Sequence, residues 1–156
     1  MIRYLDKVHE MGILEELFDL MFENMNVIAP EEAPYEVQKR EWLDCIGEAL
    51  MKDPRQILLI YLEGVLAGFC MYYINNGVLM IEELQLRPAY HRTAALLTLY
   101  RHFRNQTEID YVECFAHKTN SHSRSLIGKW GLEVVGQTPD GRILHFRGAA
   151  DRVFRK

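Results

Sequence analysis

The stretch LRPAYHRTAALLTLYRHF, residues 86–103, joins a strand end and a proline to a short basic segment and then to an apolar helix. A helix start turns backbone N–H groups and the positive end of its dipole outward, which suits a phosphate. Such turns usually rely on glycine, because a side chain blocks close approach of the anion, and this turn contains none. His91, Arg92 and Thr93 offer side-chain donors instead. A guanidinium at Arg92 can hold a phosphate through two donors at once. The bland reading is a packed strand-to-helix joint.

Two neighbouring carboxylates, Glu82 and Glu83, interrupt the apolar run just before this turn. Adjacent side chains on a strand point to opposite faces, so one of the pair can face a cleft. Cys114, His117 and His122 invite a metal or thiol site, but the spacing of CFAH on a strand separates the cysteine from the histidine, and no metal is expected. The three cysteines, Cys45, Cys70 and Cys114, are odd in number and far apart, which argues against a disulfide framework and fits a reducing cytoplasm.

The chain has 156 residues, 49% hydrophobic and 26% charged, enough for one compact domain spanning 1–156 that buries about two-thirds of its unfolded surface. A net charge of -4 gives no general attraction to nucleic acid or anionic membrane, so neither is expected as a partner. The first residues carry charges throughout, and no apolar run reaches the ~18 residues of a membrane span. A soluble protein that is not exported is the expectation.

Positioning the candidate residues takes a series of elements. Residues 2–4 read as a strand, and Leu5, Val8, Met11, Ile13, Leu14, Leu17, Phe18 and Met21 recur at helical spacing. NMNVIAPEEAPYE, 24–36, reads as a loop and candidate substrate wall. A second helix follows and ends at KDP. Then come QILLIYL, VLAGFCMYYI and VLMIEELQL as three antiparallel strands, the last two joined by Asn76-Gly77, a pair suited to the positive φ of a type I′ turn. Residues 91–104 read as a helix, 109–117 as a buried strand, 120–130 as a helix stopped by Gly131, and LEVVGQ with RILHFRG as a hairpin. The order β-α-α-β-β-β-α-β-α-β-β makes an α+β fold of three-layer type, with a parallel, right-handed strand-helix-strand unit at its centre.

That order, with particular residues at its joints, resembles the Gcn5-related N-acetyltransferase (GNAT) superfamily over essentially the whole chain. MIEELQLRPAYHRTAAL matches the family's hhxhxVxPxYRGxGxG at Leu86, Pro88 and Tyr90. Asn120, Ser123, Leu126, Lys129, Gly131, Leu132, Glu133, Val135 and Gly136 match Nxxaxxlyxk-GF-exvG. The resemblance implies an acyl coenzyme A-dependent N-acyltransferase, with acetyl-CoA as co-substrate, working by direct attack of an amine on the thioester. In that fold the fourth and fifth strands splay, and a cofactor arm bonds backbone such as that of Leu84 and Leu86. The diphosphate would meet the backbone around Arg92, Thr93, Ala94 and Ala95, helped by His91.

By the same resemblance Glu82 is the general base, often acting through water. The family glycines fall on Arg92, Ala94 and Leu96, and the tyrosine that usually serves as general acid falls on Ile127. Tyr72, Tyr73, His122, Ser123 and Ser125 are substitutes, and water can protonate a departing thiolate. Asn120 would cap its helix and touch the pantetheine arm, with Ser123 beside it. The acceptor is a small-molecule or peptide amine. Glu31, Glu32 and Glu36 suit a cationic one, although loop carboxylates also serve solubility alone. The basic tail, 147–156, with Val153 and Phe154, is read as docking on a neighbouring subunit, which admits a homodimer, or as mobile. The alternative to an enzyme is a catalytically inactive module of this family that has lost coenzyme A and serves binding or assembly.

Overall fold

The computed structural model describes residues 1–52, 54–91 and 94–155. The strands are β1 (Ile2–Tyr4), β2 (Gln56–Leu62), β3 (Val65–Asn75), β4 (Val78–Leu86), β5 (Tyr111–His117), β6 (Glu133–Gln137) and β7 (Ile143–Ala149). The helices are α1 (Leu14–Ile28), α2 (Tyr35–Lys52), α3 (Ala95–Arg104), α4 (Ser121–Lys129) and α5 (Ala150–Val153). One mixed seven-stranded sheet runs in the order β1-β2-β3-β4-β5-β7-β6. The expected α+β order is observed, and β4 and β5 are parallel. Among the described residues no helix is long and apolar enough to cross a membrane.

The chain divides into two compact units. The first comprises Met1–Met71 and Glu83–Thr98, the second Tyr72–Glu82 and Leu99–Lys156. In the first unit Leu14, Leu17 and Leu20 of α1 and Ile46 and Leu50 of α2 pack on Ile57 and Leu59 of β2 and on Leu66, Phe69 and Met71 of β3. The alternation along β2 sends Ile60 and Leu62 into a smaller cluster with Leu86 and Ala95. Each fully buried Leu, Ile, Phe or Met among these contributes about 1.5–3 kcal/mol.

The first helix begins later and ends later than its apolar spacing suggests. Asp6 Oδ1 accepts from the N–H groups of Val8 at 2.9 Å and His9 at 3.1 Å, which closes a turn where a helix from Leu5 was expected. Leu5 instead bonds Ile57, prolonging the strand pairing. At the other end α1 runs on to Ile28, so residues 24–28 of the expected loop are helical and the connection shrinks to 29–34. Asn24 is usable within a helix because its side chain bonds the end of β4, at Leu86 O 2.9 Å away.

In the second unit β5 alternates cleanly. Val112, Cys114 and Ala116 are buried while Tyr111 and Phe115 are exposed. β7 lies antiparallel with Leu144 and Phe146 on the buried side. The Asn76-Gly77 turn has positive φ at both residues, 50° and 79°, as its sequence predicts. The tail corrects an expectation: Val153 and Phe154 are each 2% exposed, and the Phe154 ring meets Tyr100 at 5.5 Å. These two apolar residues are spent within their own unit, and docking or mobility is not their role.

Candidate functional site

β4 leads into a 3-10 turn at Pro88–Tyr90, and α3 starts at Ala95 rather than at 91. Arg92 and Thr93, two of the expected phosphate donors, lie outside the described residues. Ala95 is fully buried, and Leu96 packs on the cluster of Ile60, Leu86 and Ala95. The leucine at one family glycine position therefore spends its side chain on apolar packing. Ala94 is exposed, and its carbonyl accepts from both the N–H and the hydroxyl of Thr98 at 2.9 Å.

The end of β4 is held from several sides within the first unit. The Leu86 carbonyl accepts from Asn24 Nδ2 and from His91 Nε2, each at 2.9 Å. His91 thus folds back on the strand it follows. Asn24 Nδ2 also donates to Gln85 Oε1 at 3.0 Å, and Gln85 Nε2 donates to Glu83 at 3.0 Å. Gln85 is 8% exposed, so these bonds satisfy a buried amide. Arg87 bridges Leu66 O at 2.9 Å and Glu16 Oε1 at 2.8 Å. Leu84 is half-buried against the Ile60 cluster.

Glu82 belongs to the second unit and is half-buried. The parallel register sets Met80 beside Glu113 and Ile81 beside Cys114. Alternation then carries Glu82, two positions beyond Met80, onto the Glu113 face of the sheet. That face holds a group the sequence reading passed over. His145 Nε2 is 2.5 Å from Glu113 Oε1, and Phe115 stacks on the imidazole at 4.5 Å with the planes 13° apart. Arg147 lies over the Tyr111 ring at 4.1 Å. The cross-strand partnership joins β5 to β7 with α4 and β6 between them in sequence. A period-two pattern in YVECFAH and RILHFRG shows which residues share a face, but the register that pairs them is non-local.

Asn120 accepts from Ser123 N at 3.2 Å and caps α4, as its residue type suggests. Ser123, half-buried, stands on the first turn of that helix. Tyr72 is buried edge-on against Phe103 at 4.9 Å. Burial pushes the Cys114 thiol up to about 12, which suits a packed side chain better than a thiolate. Among the described residues no group of three or more His, Cys, Asp or Glu is placed to hold a metal ion. Glu31, Glu32 and Glu36 are all exposed, the first two in the α1–α2 connection and the third in the first turn of α2.

The fold has many solved counterparts. PaiA N-acetyltransferase from Thermoplasma acidophilum, solved with coenzyme A, superposes with a TM-score of 0.66 at 20% identity, over 93% of this chain and 96% of that one. An acetyltransferase from Thermus thermophilus reaches 0.72 at 13% identity, over 96% and 97%. A variant of spermidine N-acetyltransferase SpeG from Vibrio cholerae reaches 0.69 at 14% identity, over 100% and 96%. No curated protein matches by sequence. The profile of the acetyltransferase (GNAT) family matches residues 14–132, and the chain belongs to that family.

Proposed function

We propose that the protein transfers an acetyl group from acetyl-CoA to an amine by direct attack. Family membership makes it an acyl-CoA-dependent acetyltransferase. The observation that supports coenzyme A binding is the packing of Leu96 into the Ile60, Leu86 and Ala95 cluster. It leaves the start of α3, with its N–H groups and dipole, suited to the diphosphate despite the missing glycines. Arg92 and Thr93 would supply charge and hydroxyl contacts, with Ala94 and Ala95 contributing backbone. The arm would run along the backbone of Leu84 and Leu86, and Asn120 and Ser123 are assigned to it on the family pattern.

In this reading Glu82 takes the proton of the acceptor ammonium, directly or through water. The amine then attacks the acetyl carbonyl carbon, the C–S bond breaks, and the thiolate is protonated by solvent, since Ile127 stands where the family acid would. The acceptor is a small molecule or peptide amine. The exposed Glu31, Glu32 and Glu36 favour a cationic one.

The reading is tested by calorimetric titration with acetyl-CoA, with Arg92→Ala beside the wild type. Micromolar binding that the variant weakens tenfold or more, ~1.4 kcal/mol, supports it. Absence of heat and of any thermal shift at millimolar ligand sinks it. That outcome would favour the second reading, a module without catalysis, to which the occupied Leu86 carbonyl already lends some support.

A further inference from the structure

The Glu113–His145 pair has the build of an oriented base. Glu113 keeps 12% of its side chain exposed and His145 keeps 28%, so the carboxylate lies deeper than the imidazole. One ring nitrogen is committed to the carboxylate at 2.5 Å, which leaves the other as the chemically distinct position. Phe115 fixes the ring plane by stacking. On the far side β6 sets Gly136 opposite His145, and a Cβ built there would meet nothing within 4 Å. A partly accessible imidazole, held from behind and opening beside a residue without a side chain, is suited to meeting a ligand. An imidazole also titrates nearer neutral pH than a carboxylate does.

We propose that His145, oriented by Glu113, is the final acceptor of the proton that the amine must lose. The inference rests on the acetyltransferase reading, because it takes the face of Glu82 as the acceptor's side. The ammonium gives its proton to His145 through water held at Glu82. The freed lone pair forms the C–N bond at the acetyl carbonyl, the C–S bond breaks, and coenzyme A leaves as a thiolate that solvent protonates. The imidazolium then returns its proton to solvent. His145 joins Glu82 as a catalytic residue, and Glu113 is the positioning residue. The charged and titratable groups sharing this face are Glu82 on β4, Tyr111, Glu113 and His117 on β5, Arg147 on β7, and Glu133, which pairs with Arg147, on β6.

The test is steady-state turnover by the full chain with spermidine, lysine, an aminoglycoside and a peptide amino terminus. Wild type is compared with His145→Gln, Glu113→Gln and Gly136→Val across pH, and acetyl-CoA binding is measured for each. His145→Gln should lower kcat by ~100-fold, keep KM for acetyl-CoA within about twofold, and abolish the acid-side ionisation in kcat/KM. Glu113→Gln should move that ionisation, a change a merely structural pair would not produce. Gly136→Val should raise KM for the amine alone by filling the space beside the ring. A His145→Gln profile that overlays the wild type overturns the inference and leaves the acetyltransferase reading standing. A wild type that binds acetyl-CoA yet turns over none of the amines overturns both. Should His145→Gln fail to fold, unchanged kinetics in both Glu113→Gln and Gly136→Val would be equally fatal.

Discussion

Gly68 lies so close to the Gln85 carbonyl that a Cβ on the glycine would stand 2.2 Å from that oxygen and 3.0 Å from Leu86 Cα. The two strands approach at the segment of β4 assigned to the cofactor arm, and Arg87 N bonds Ala67 O at 2.8 Å one step further on. Here glycine serves space alone, since its φ is not positive.

Gly68→Ala should therefore displace the end of β4. Overpacking of this kind costs about 1–3 kcal/mol, to be read from the denaturant midpoint. Acetyl-CoA affinity should fall in the same variant. Equal stability and equal affinity to the wild type would show that the strand yields without consequence.

Asn24, Gln85 and Glu83 form one chain of hydrogen bonds, with Gln85 buried at its centre. Asn24→Leu should cost about 1–3 kcal/mol, because it strips a buried amide of its donor and Leu86 O of one of two. Adding Gln85→Leu should recover part of the loss, since the orphaned amide is then gone. A double-mutant cycle with no coupling would deny the chain an energetic role.

The tail makes a third case. Phe154 is 2% exposed and Val153 equally so, in the ten-residue stretch 147–156 that reads from sequence as a basic tail. Phe154→Ala should cost about 3 kcal/mol, as for a core aromatic, without altering the oligomeric state. If these residues served a partner instead, the variant would keep its stability and change its sedimentation.

The tail also marks where sequence stops being informative. Strands with period-two alternation, the Asn76-Gly77 turn and the Asn120 cap were legible because each depends on residues near in sequence. The start of α1 was not, because Asp6 bonds the amides of Val8 and His9 and breaks an apolar spacing that otherwise reads as helix. Nor was the end of α1, whose Asn24 finds its partners 61 and 62 residues on, at Gln85 and Leu86. Glu82 could be assigned by family pattern, whereas Glu113 and His145 became partners only through the pairing of β5 with β7. Local chemistry is written locally; a site assembled across strands is fixed by register.

Acid should destabilise the protein in two stages, by groups whose pKa is lower in the folded chain. Burial disfavours the His102 cation and lowers it from its ordinary 6.5. The unfolded chain then binds that proton more readily, so the contribution is complete above about 6.5 and is lost as pH falls below it. Asp6 is lowered by the His9 side chain and then by the amides of Val8 and His9, and Glu10 by Arg3 and then by the amide of Asp6. Their ordinary values are 3.8 and 4.5, so both contributions hold at neutral pH and disappear as pH falls through that range. Tm should therefore decline first as pH falls below about 6.5 and again as it falls below 4.5. His102→Gln should flatten the first decline, and Glu10→Gln should blunt the second. A Tm independent of pH over the upper range, or a His102→Gln curve parallel to the wild type, would remove His102 from the account.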